Sequence, residues 1–205
     1  MLKTITSRSL QSAFSQNSSQ KIITRGYVQQ HQTRLFNIGN IVKRQRGYEK
    51  KELLGYSMQE MYSVVSDVTN YQHFVPYVKK SHVHSKHNNG FKADLIVGFP
   101  PLHEVYTSNV TLKCPALVTS ECKDGRLFDY LLNEWRFSPG LKDIPQSCVL
   151  DFKVHFQFKS LLHSNIANLF FDLICDQMEQ AFVAEARRRY GEASIKSHIL
   201  SAKRS

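Results

Sequence analysis

The clearest pattern of secondary structure lies in residues 147–190, SCVLDFKVHFQFKSLLHSNIANLFFDLICDQMEQAFVAEARRRY. The first part of this stretch, 147–159, alternates apolar and polar residues, which predicts a strand with one buried face. Its apolar face is formed by Phe152, Val154, Phe156 and Phe158. The second part, 161–190, repeats apolar residues at intervals of three and four and predicts a helix of about eight turns. Because each element has one apolar face, we expect the helix to pack against a sheet.

The sequence upstream of this stretch predicts more strands and one shorter helix. A first strand over 48–55 precedes Ser57 and Glu60, whose spacing is that of a capping box that begins a helix. Pro76 then favours an extended Val75. Antiparallel strands, joined mostly by short turns such as Asn88-Asn89-Gly90 and Asp124-Gly125, are predicted over 78–86, 91–99, 105–113, 116–123 and 126–137. We therefore expect an α+β fold in which a curved antiparallel β-sheet wraps around a long C-terminal helix.

Charge is distributed unevenly along the chain. The 205 residues are 41% hydrophobic and carry a net charge of +10, a composition typical of a globular protein and not of a wholly disordered chain. Residues 1–46 contain eight Lys and Arg and no Asp or Glu, which leaves 19 basic and 17 acidic residues in the remainder. The basic character therefore belongs mostly to the leader and not to the folded part.

The leader over 1–46 is also rich in Ser, Thr, Gln and Asn. A basic, hydroxylated and acid-free N-terminus is typical of a mitochondrial transit peptide. The alternative is a basic arm that binds nucleic acid. We expect a folded domain over 47–192 and a basic C-terminal tail over 193–205.

Membrane spans and disulfides are not predicted. No run approaches the roughly 20 apolar residues that a spanning helix needs, so any membrane contact is expected to be peripheral. The cysteines, Cys114, Cys122, Cys148 and Cys175, are far apart in the sequence. This spacing argues against a zinc site or a disulfide framework and favours reduced thiols, mostly in the core.

Few residues suggest chemistry. His82 and His84 would share one face of a strand, as two metal ligands should, but no third ligand is close in sequence, which favours a solvated strand face. Asp172, Asp176 and Glu179 fall within a narrow arc of the long helix, either as an ion site or, in the preferred interpretation, as its solvated face. We expect neither a metal site nor a catalytic residue.

A basic cluster, Arg187-Arg188-Arg189, ends the long helix. These residues could compensate the helix dipole. They could equally dock on an anionic membrane, where each basic residue contributes about 1 kcal/mol. Both interpretations stay open from sequence.

Aromatic residues are abundant on the predicted inner faces of the sheet and the helix. They could pack as a solid core, which is the usual role of apolar faces, or line a cavity.

The stretch 55–81, GYSMQEMYSVVSDVTNYQHFVPYVKKS, closely resembles the mitochondrial coenzyme Q-binding protein family, a START-like group. Shorter matching stretches continue through 91–95, 97–99, 104–108, 131–137, 148–160, 170–172 and 178–182, so that the similarity extends over about residues 48–190. One departure is visible, since Tyr77-Val78 stands where many relatives have Trp-Cys. This difference affects only how closely a ligand fits at these two positions.

The resemblance implies a helix-grip fold whose sheet and long helix enclose a hydrophobic tunnel for ubiquinone. It implies a quinone chaperone or carrier without a catalytic cofactor, peripheral to the matrix side of the mitochondrial inner membrane. The expected partners are ubiquinone or another polyprenyl lipid, the anionic membrane surface, and respiratory-chain or quinone-synthesis proteins, but not nucleic acid.

The expected tunnel residues fall into three groups. The mouth is predicted to contain Phe74, Val75, Pro76 and Tyr77. The sheet side is predicted to contain Leu95, Val97, Phe99, Trp135, Phe137, Phe156 and Phe158. The helix side is predicted to contain Phe170, Ile174 and Met178. Arg187, Arg188 and Arg189 are the predicted membrane contacts.

Two other functions are alternatives to the carrier. A START-like cyclase or aromatase would need acid and base groups inside the cavity, whereas the predicted inner faces are nearly all apolar. A ribosome- or protein-interaction module is the second alternative, because some bacterial relatives in the superfamily associate with ribosomes.

Overall fold

The computed structural model describes residues 44–99, 102–123, 126, 128–159 and 161–205. Within these ranges the chain forms eight strands, three α-helices and one short 3₁₀ helix, Val68–Asn70. The strands are β1 (Gln45–Leu54), β2 (Val78–His87), β3 (Gly90–Phe99), β4 (Leu102–Lys113), β5 (Leu117–Cys122), β6 (Phe128–Pro139), β7 (Cys148–Phe158) and β8 (His198–Arg204). The α-helices are α1 (Met58–Ser66), α2 (Tyr71–Phe74) and α3 (Leu161–Tyr190).

The eight strands form one sheet in the order β2-β3-β4-β5-β6-β7-β1-β8, with antiparallel neighbours throughout. From β2 to β7 the spatial order follows the chain, as expected for strands joined by short connections. β1 then pairs with β7, with Tyr48 opposite Val154 and Leu54 opposite Cys148. The predicted turn at Asp124-Gly125 lies outside the described residues.

The two ends of the domain differ from the prediction. β1 begins at Gln45, inside the predicted leader. Residues 193–205, expected as a tail outside the domain, contain β8, which pairs with β1 from Leu53 opposite His198 to Tyr48 opposite Arg204. The expected tail is therefore wrong from His198 onwards. β8 is exposed throughout and has no apolar alternation that would reveal it, because its position depends on the free edge of β1.

The α1 helix begins with the predicted capping box. The Glu60 backbone N–H donates to Ser57 Oγ over 3.2 Å, and the Ser57 backbone N–H donates to the Glu60 carboxylate over 2.8 Å. Val75 is extended, with φ −82° and ψ 122°, as its position before proline requires. This extended residue ends α2 and directs the chain towards β2.

The α3 helix has the predicted bounds and packs against the inner face of the sheet. Phe182 is buried there, with its ring centroid 4.6 Å from that of Trp135 on β6. The α+β class and the helix-grip arrangement are confirmed. The described part of the chain contains no helix that combines the length and the apolar character needed to cross a bilayer.

The acidic arc of α3 is not wholly solvated. Glu179 is buried, and its Oε2 lies 3.1 Å from Lys50 Nζ on β1. Asp176 is partly exposed and pairs with Arg204 on β8 at 3.1 Å. The predicted solvated face is therefore wrong for Glu179, because β1 and β8 cover this side of the helix. The side chain of Asp172 lies outside the described residues.

The cysteines are free, with Cys122, Cys148 and Cys175 buried and Cys114 exposed. Burial raises the pKa of the Cys148 thiol to about 12, so this group stays protonated at neutral pH. The prediction that the cysteines lie mostly in the core is confirmed.

Candidate ligand-binding cavity

A cavity of about 190 Å³ lies between the inner face of the sheet and α3. β3 to β7 contribute the residues on alternate positions of each strand, because those side chains point to the same face. The wall is mainly aromatic and aliphatic. From the sheet it includes Ala93, Leu95, Val97, Val110, Val118, Leu131, Trp135, Phe152, Val154, Phe156 and Phe158. From α3 it includes Ile174, Cys175, Met178 and Phe182.

Two aromatic clusters close opposite parts of this cavity. In the first, Trp135 lies with ring centroids 4.2 Å from Phe152 and 4.6 Å from Phe182. In the second, Phe128 lies 5.7 Å from Phe156 and 5.3 Å from Phe158. Such tilted and edge-on ring pairs add to the stabilisation that burial provides. The clusters therefore give the cavity fixed walls.

Polar groups interrupt the apolar wall on three adjacent strands. Ser108 on β4, Ser120 on β5 and Asn133 on β6 all line the cavity. Tyr71 and Tyr106 also line it, and burial raises the pKa of both hydroxyls, which therefore stay protonated. The described lining residues include no Asp, Glu, His, Lys or Arg side chain.

One side of the cavity is bordered by the segment that follows α2. Pro76 and Tyr77 line the cavity and are partly exposed. The Tyr77 hydroxyl donates to Gln177 Oε1 on α3 over 2.7 Å, and the Tyr77 carbonyl accepts from the Gly98 backbone N–H over 2.9 Å. Tyr77 thus joins α3 to β3 at this edge. Its backbone φ is positive, at 66°, a conformation that non-glycine residues rarely adopt.

The structure brings together most of the residues predicted for the tunnel. The cavity is lined by Pro76, Tyr77, Leu95, Val97, Trp135, Phe156, Phe158, Ile174 and Met178. The side chains of Phe99 and Phe170 lie outside the described residues.

Phe74, Val75 and Phe137 do not line the cavity. Phe74 and Val75 border a separate surface groove between α2 and α3. Phe74 packs edge-on against Phe182, with ring centroids 5.4 Å apart, whereas Tyr71 and Pro76 on either side of it reach the cavity. Phe137 is buried opposite Leu150, in the part of the sheet that α1 covers.

Several lining residues were missed by the tunnel prediction although a signal for them existed. Phe152 and Val154 share the alternation of Phe156 and Phe158, and Asn133 has the same parity as Trp135. Alternation identifies the inner face of a strand, but it does not show how far along the strand the cavity extends. The contribution of Tyr71 from α2 depends on tertiary packing and has no such signal.

The arginines at the end of α3 take part in ion pairs. Arg189 bridges Glu185 at 2.7 Å and Asp67 at 2.8 Å, and Arg188 also contacts Glu185 at 2.7 Å. Hydrogen bonds from Arg188 and then Arg189 lower the pKa of Glu185 to about 2. Arg187 pairs with Glu192. These contacts fix the end of α3 to the residue that follows α1.

The paired histidines share a face, as predicted from the strand period. The rings of His82 and His84 are stacked with centroids 5.9 Å apart, and His84 Nε2 lies 3.2 Å from Asp94 Oδ1. Among the described residues no group of three or more metal-ligating side chains occurs. Hydrogen bonds from Thr107 and His84 lower the pKa of Asp94.

Comparison with known proteins gives consistent matches. Residues 54–183 match the model of the polyketide cyclase/dehydrase and lipid transport family. The chain is 74% identical over 163 residues to the mitochondrial coenzyme Q-binding protein COQ10 of Drosophila melanogaster, a match that covers 80% of this chain and 67% of that protein.

Two further similarities extend this result. The mitochondrial coenzyme Q-binding protein COQ10 homolog B of Xenopus laevis is 45% identical over 72% of this chain and 61% of its own length. The chain therefore spans about two thirds or less of these curated relatives. The crystal structure of the Zhui aromatase/cyclase from Streptomyces superimposes with a TM-score of 0.63 and 16% identity, covering 73% of this chain and 98% of that one. That likeness concerns the fold.

Proposed function

The chain belongs to the polyketide cyclase/dehydrase and lipid transport family and, within it, to the coenzyme Q-binding proteins, and from this premise we propose that it binds ubiquinone in the cavity under α3. In this proposal the protein is a chaperone or carrier needed for quinone function in the respiratory chain and for efficient quinone synthesis. The apolar cavity is the observation that carries the proposal.

The wall suits a polyprenyl tail better than a polar metabolite. Burying apolar surface contributes about 25 cal/mol per Å², so aromatic and aliphatic side chains capture such a tail without any reaction. Pockets of this kind fix a ligand with a few polar groups and hold it with many apolar ones. The described wall, with Trp135, Phe152 and Phe156 among its members, has this composition.

We propose that the protein binds its ligand without transforming it. Acid-base catalysis on a cyclisable substrate needs titratable groups that reach the substrate. The described polar lining residues are Ser108, Ser120, Asn133, three tyrosines and Cys175, with no carboxylate, imidazole or ammonium group among them, which supports a carrier over a cyclase. Conversion of a bound quinone into a new product by the purified protein would overturn this part.

The proposed entrance is the edge at Pro76 and Tyr77. These residues are partly exposed, and Met178 on the facing side of α3 is partly exposed as well. A lipid leaving a bilayer needs an opening that meets the membrane surface. We therefore place the membrane at this edge.

Lysines on the neighbouring edge strand support this orientation. Lys79, Lys80 and Lys86 on β2 and Lys92 on β3 are exposed, and none of them makes an ion pair with another described residue. Cations near an anionic bilayer contribute about 1 kcal/mol each. The arginines of the α3 end are already paired with carboxylates, which leaves less of their charge for lipid.

For cellular location we propose the matrix side of the mitochondrial inner membrane, with the transit peptide in the residues that precede β1, because Gln45 and Arg46 already belong to the sheet. The acid-free leader and the mitochondrial names of the relatives support this placement. Quinone-synthesis or respiratory-chain proteins are the proposed protein partners.

Mass spectrometry of lipids extracted from residues 44–205, purified without detergent from quinone-making cells, tests the function. We expect ubiquinone near one molecule per chain. Leu95→Ser should remove most of it, because Leu95 lines the cavity. Ile96→Ser, on the opposite face of β3, is the matched control and should retain it. Protein that stays empty after incubation with quinone-loaded liposomes would contradict the proposal.

Liposome flotation tests the orientation. Lys80→Glu, Lys86→Glu and Lys92→Glu combined should weaken binding to anionic vesicles strongly at low salt and less at high salt. Arg187→Glu, Arg188→Glu and Arg189→Glu combined should have the smaller effect. A larger loss of vesicle binding in the arginine variant than in the lysine variant would assign membrane contact to the end of α3.

A further inference from the structure

Three polar residues on neighbouring strands lie in the middle of the apolar cavity wall. Ser120 on β5 is directly opposite Asn133 on β6, and Val110 on β4 is directly opposite Ser120. Ser108 is two residues before Val110 and therefore lies on the same face, diagonal to Ser120. We call Ser108, Ser120 and Asn133 the polar row.

Aromatic residues flank the polar row along the strands. Asn133 is two positions from Trp135 on β6, and Trp135 is opposite Val118 and Phe152. In the other direction, Ser108 is two positions from Tyr106, which packs edge-on against Phe128 at 6.2 Å. The polar row thus occupies a band between the two aromatic clusters.

The side chains of the polar row have no protein partner among the described residues. Ser108 is 1% exposed, and its Oγ is a buried atom without a hydrogen bond. No hydrogen bond from a described residue reaches the Ser120 hydroxyl or the Asn133 amide either, although many other polar side chains of the domain are paired. A polar group as deeply buried as the Ser108 hydroxyl is normally satisfied, and the half-buried Ser120 and Asn133 line the same cavity, so this unpaired set indicates that a ligand or water satisfies it.

We propose that the polar row is the subsite for the ring of a 1,4-benzoquinone lipid, an inference that rests on the proposed function and adds an orientation to it. The ring carries carbonyl and methoxy oxygens that only accept hydrogen bonds. Serine hydroxyls and an asparagine amide supply the donors. The ring then lies between the aromatic clusters, and the tail runs along the apolar wall towards Pro76 and Tyr77.

The chemistry of the polar row favours a neutral ring over a charged head group. No cationic side chain occurs among the described residues of the wall, so a phosphate would enter without a counter-charge. A quinone ring needs only neutral donors. The row therefore selects against phospholipids that share the apolar tail chemistry.

Two ligands that differ only in the ring test this inference. Decylubiquinone carries the ring oxygens, and decylbenzene has the same tail without them. Trp135 is the only tryptophan of the chain and lines the cavity, so quenching of its fluorescence reports quinone binding, and displacement of the quinone reports decylbenzene binding. The variants are Ser108→Ala, Ser120→Ala and Asn133→Leu, in residues 44–205.

Each variant should lower the affinity for decylubiquinone by about three- to tenfold, because one hydrogen bond is lost. The affinity for decylbenzene should stay unchanged or increase. Thr119→Ala, on the outer face of β5, should change neither ligand. Val118→Ala removes apolar wall and should weaken both. Equal losses for both ligands in the polar-row variants, or unchanged quinone affinity, would overturn the subsite while the carrier function stands.

Infrared spectra of the bound quinone provide a second measurement that does not depend on Asn133→Leu folding. In the unaltered protein the carbonyl stretch of labelled decylubiquinone should lie below its frequency in hydrocarbon. Ser108→Ala and Ser120→Ala should shift this carbonyl frequency towards its value in hydrocarbon. A stretch at the hydrocarbon frequency in the unaltered protein refutes the subsite, whereas failure of that protein to bind decylubiquinone at all refutes the proposed function and the subsite together.

Discussion

Glu179 connects α3 to β1 through a buried polar group. Lys50 Nζ lies 2.9 Å from Glu52 Oε2 and 3.1 Å from Glu179 Oε2, so two carboxylates share one ammonium. The Tyr48 hydroxyl is 3.3 Å from Asp176 Oδ1 and 3.5 Å from Glu179 Oε2. Burial raises the pKa of Glu179 to about 7, against the attraction of Lys50. This carboxyl group therefore titrates close to neutral pH.

Glu179→Gln should remove part of the pH dependence of stability. A carboxyl whose pKa rises from 4.5 in the unfolded chain to about 7 on folding binds more protons when folded, so its contribution is present below pH 4.5 and is lost as the pH rises through 7. Between pH 5 and pH 8 we expect the unaltered protein to lose on the order of 2 kcal/mol more unfolding free energy than Glu179→Gln. Urea unfolding at both pH values measures this difference.

Glu121→Gln, on the outer face of β5, is the control for Glu179→Gln and should behave as the unaltered protein does. If the unfolding free energies of Glu179→Gln and the unaltered protein changed in parallel between pH 5 and pH 8, this carboxyl group would not titrate in that range.

Tyr77→Phe should speed the release of bound quinone. The Tyr77 hydroxyl bonds Gln177 on α3 over 2.7 Å at the proposed entrance, and its loss frees the two sides to separate. We expect transfer from the protein to acceptor liposomes to accelerate about three- to tenfold, as one hydrogen bond of about 1 kcal/mol implies. Stopped-flow recovery of Trp135 fluorescence measures the rate.

Gln177→Ala should accelerate release equally, and the Tyr77→Phe, Gln177→Ala double variant should be no faster than either single one. Tyr130→Phe, on the outer face of β6, is the control. Additive effects of the two single variants would show that Tyr77 and Gln177 act independently.

Residue-level prediction succeeded where a local pattern carries the information. The capping box of Ser57 and Glu60 is specified within four residues, and its geometry is confirmed. The environment of Glu179 is not local, because helical periodicity places it near Asp176 but does not show that β1 and β8 cover that side. Tyr71, which reaches the cavity from α2, was missed for the same reason.

β8 protects the edge of the sheet. It pairs only with β1, and Arg204 also places its guanidinium 5.4 Å from the centre of the Tyr48 ring. Without β8, the backbone groups of β1 on that side would be open to another chain. β8 thus completes the sheet although it adds little to the apolar core.

Deletion of residues 197–205 should therefore lower stability without abolishing ligand binding. Exposed strand hydrogen bonds and one surface ion pair suggest a loss of about 2 kcal/mol, measured as a shift of the urea midpoint. Sedimentation should also show self-association through the uncovered edge of β1. Arg204→Gln retains the strand, so it is the matched control, and its loss of stability should be smaller. A deletion that matches the full chain in both measurements would mean that β8 is dispensable.

The elements that sequence located best are those with long, uninterrupted periodicity. α3 has the predicted bounds, and β7 differs from the prediction by only one residue at each end. β8 has the sequence HILSAKR, which is short and lacks a buried face, so nothing in its pattern distinguishes it from a tail. The cavity was likewise predictable as an inner face but not in its extent, as Phe137 shows.

The size of the cavity limits how a lipid is held. Its volume of about 190 Å³ is below the roughly 300–1,000 Å³ of pockets that enclose drug-sized ligands. A ring and the start of a tail fill such a space. The rest of a long tail must then extend past the proposed entrance, unless α3 moves outward.

A series of ubiquinones that differ by single isoprene units distinguishes these two arrangements. Each buried methylene contributes about 0.8 kcal/mol, so affinity should rise steeply for the first units and then level off once the tail reaches Pro76. Val97→Phe narrows the cavity beside Tyr77 and should move the plateau to a shorter tail, whereas Ile96→Phe on the outer face should leave it in place. Quenching of Trp135 measures each affinity. An undiminished rise to the longest tails would show instead that α3 separates from the sheet to enclose the whole lipid.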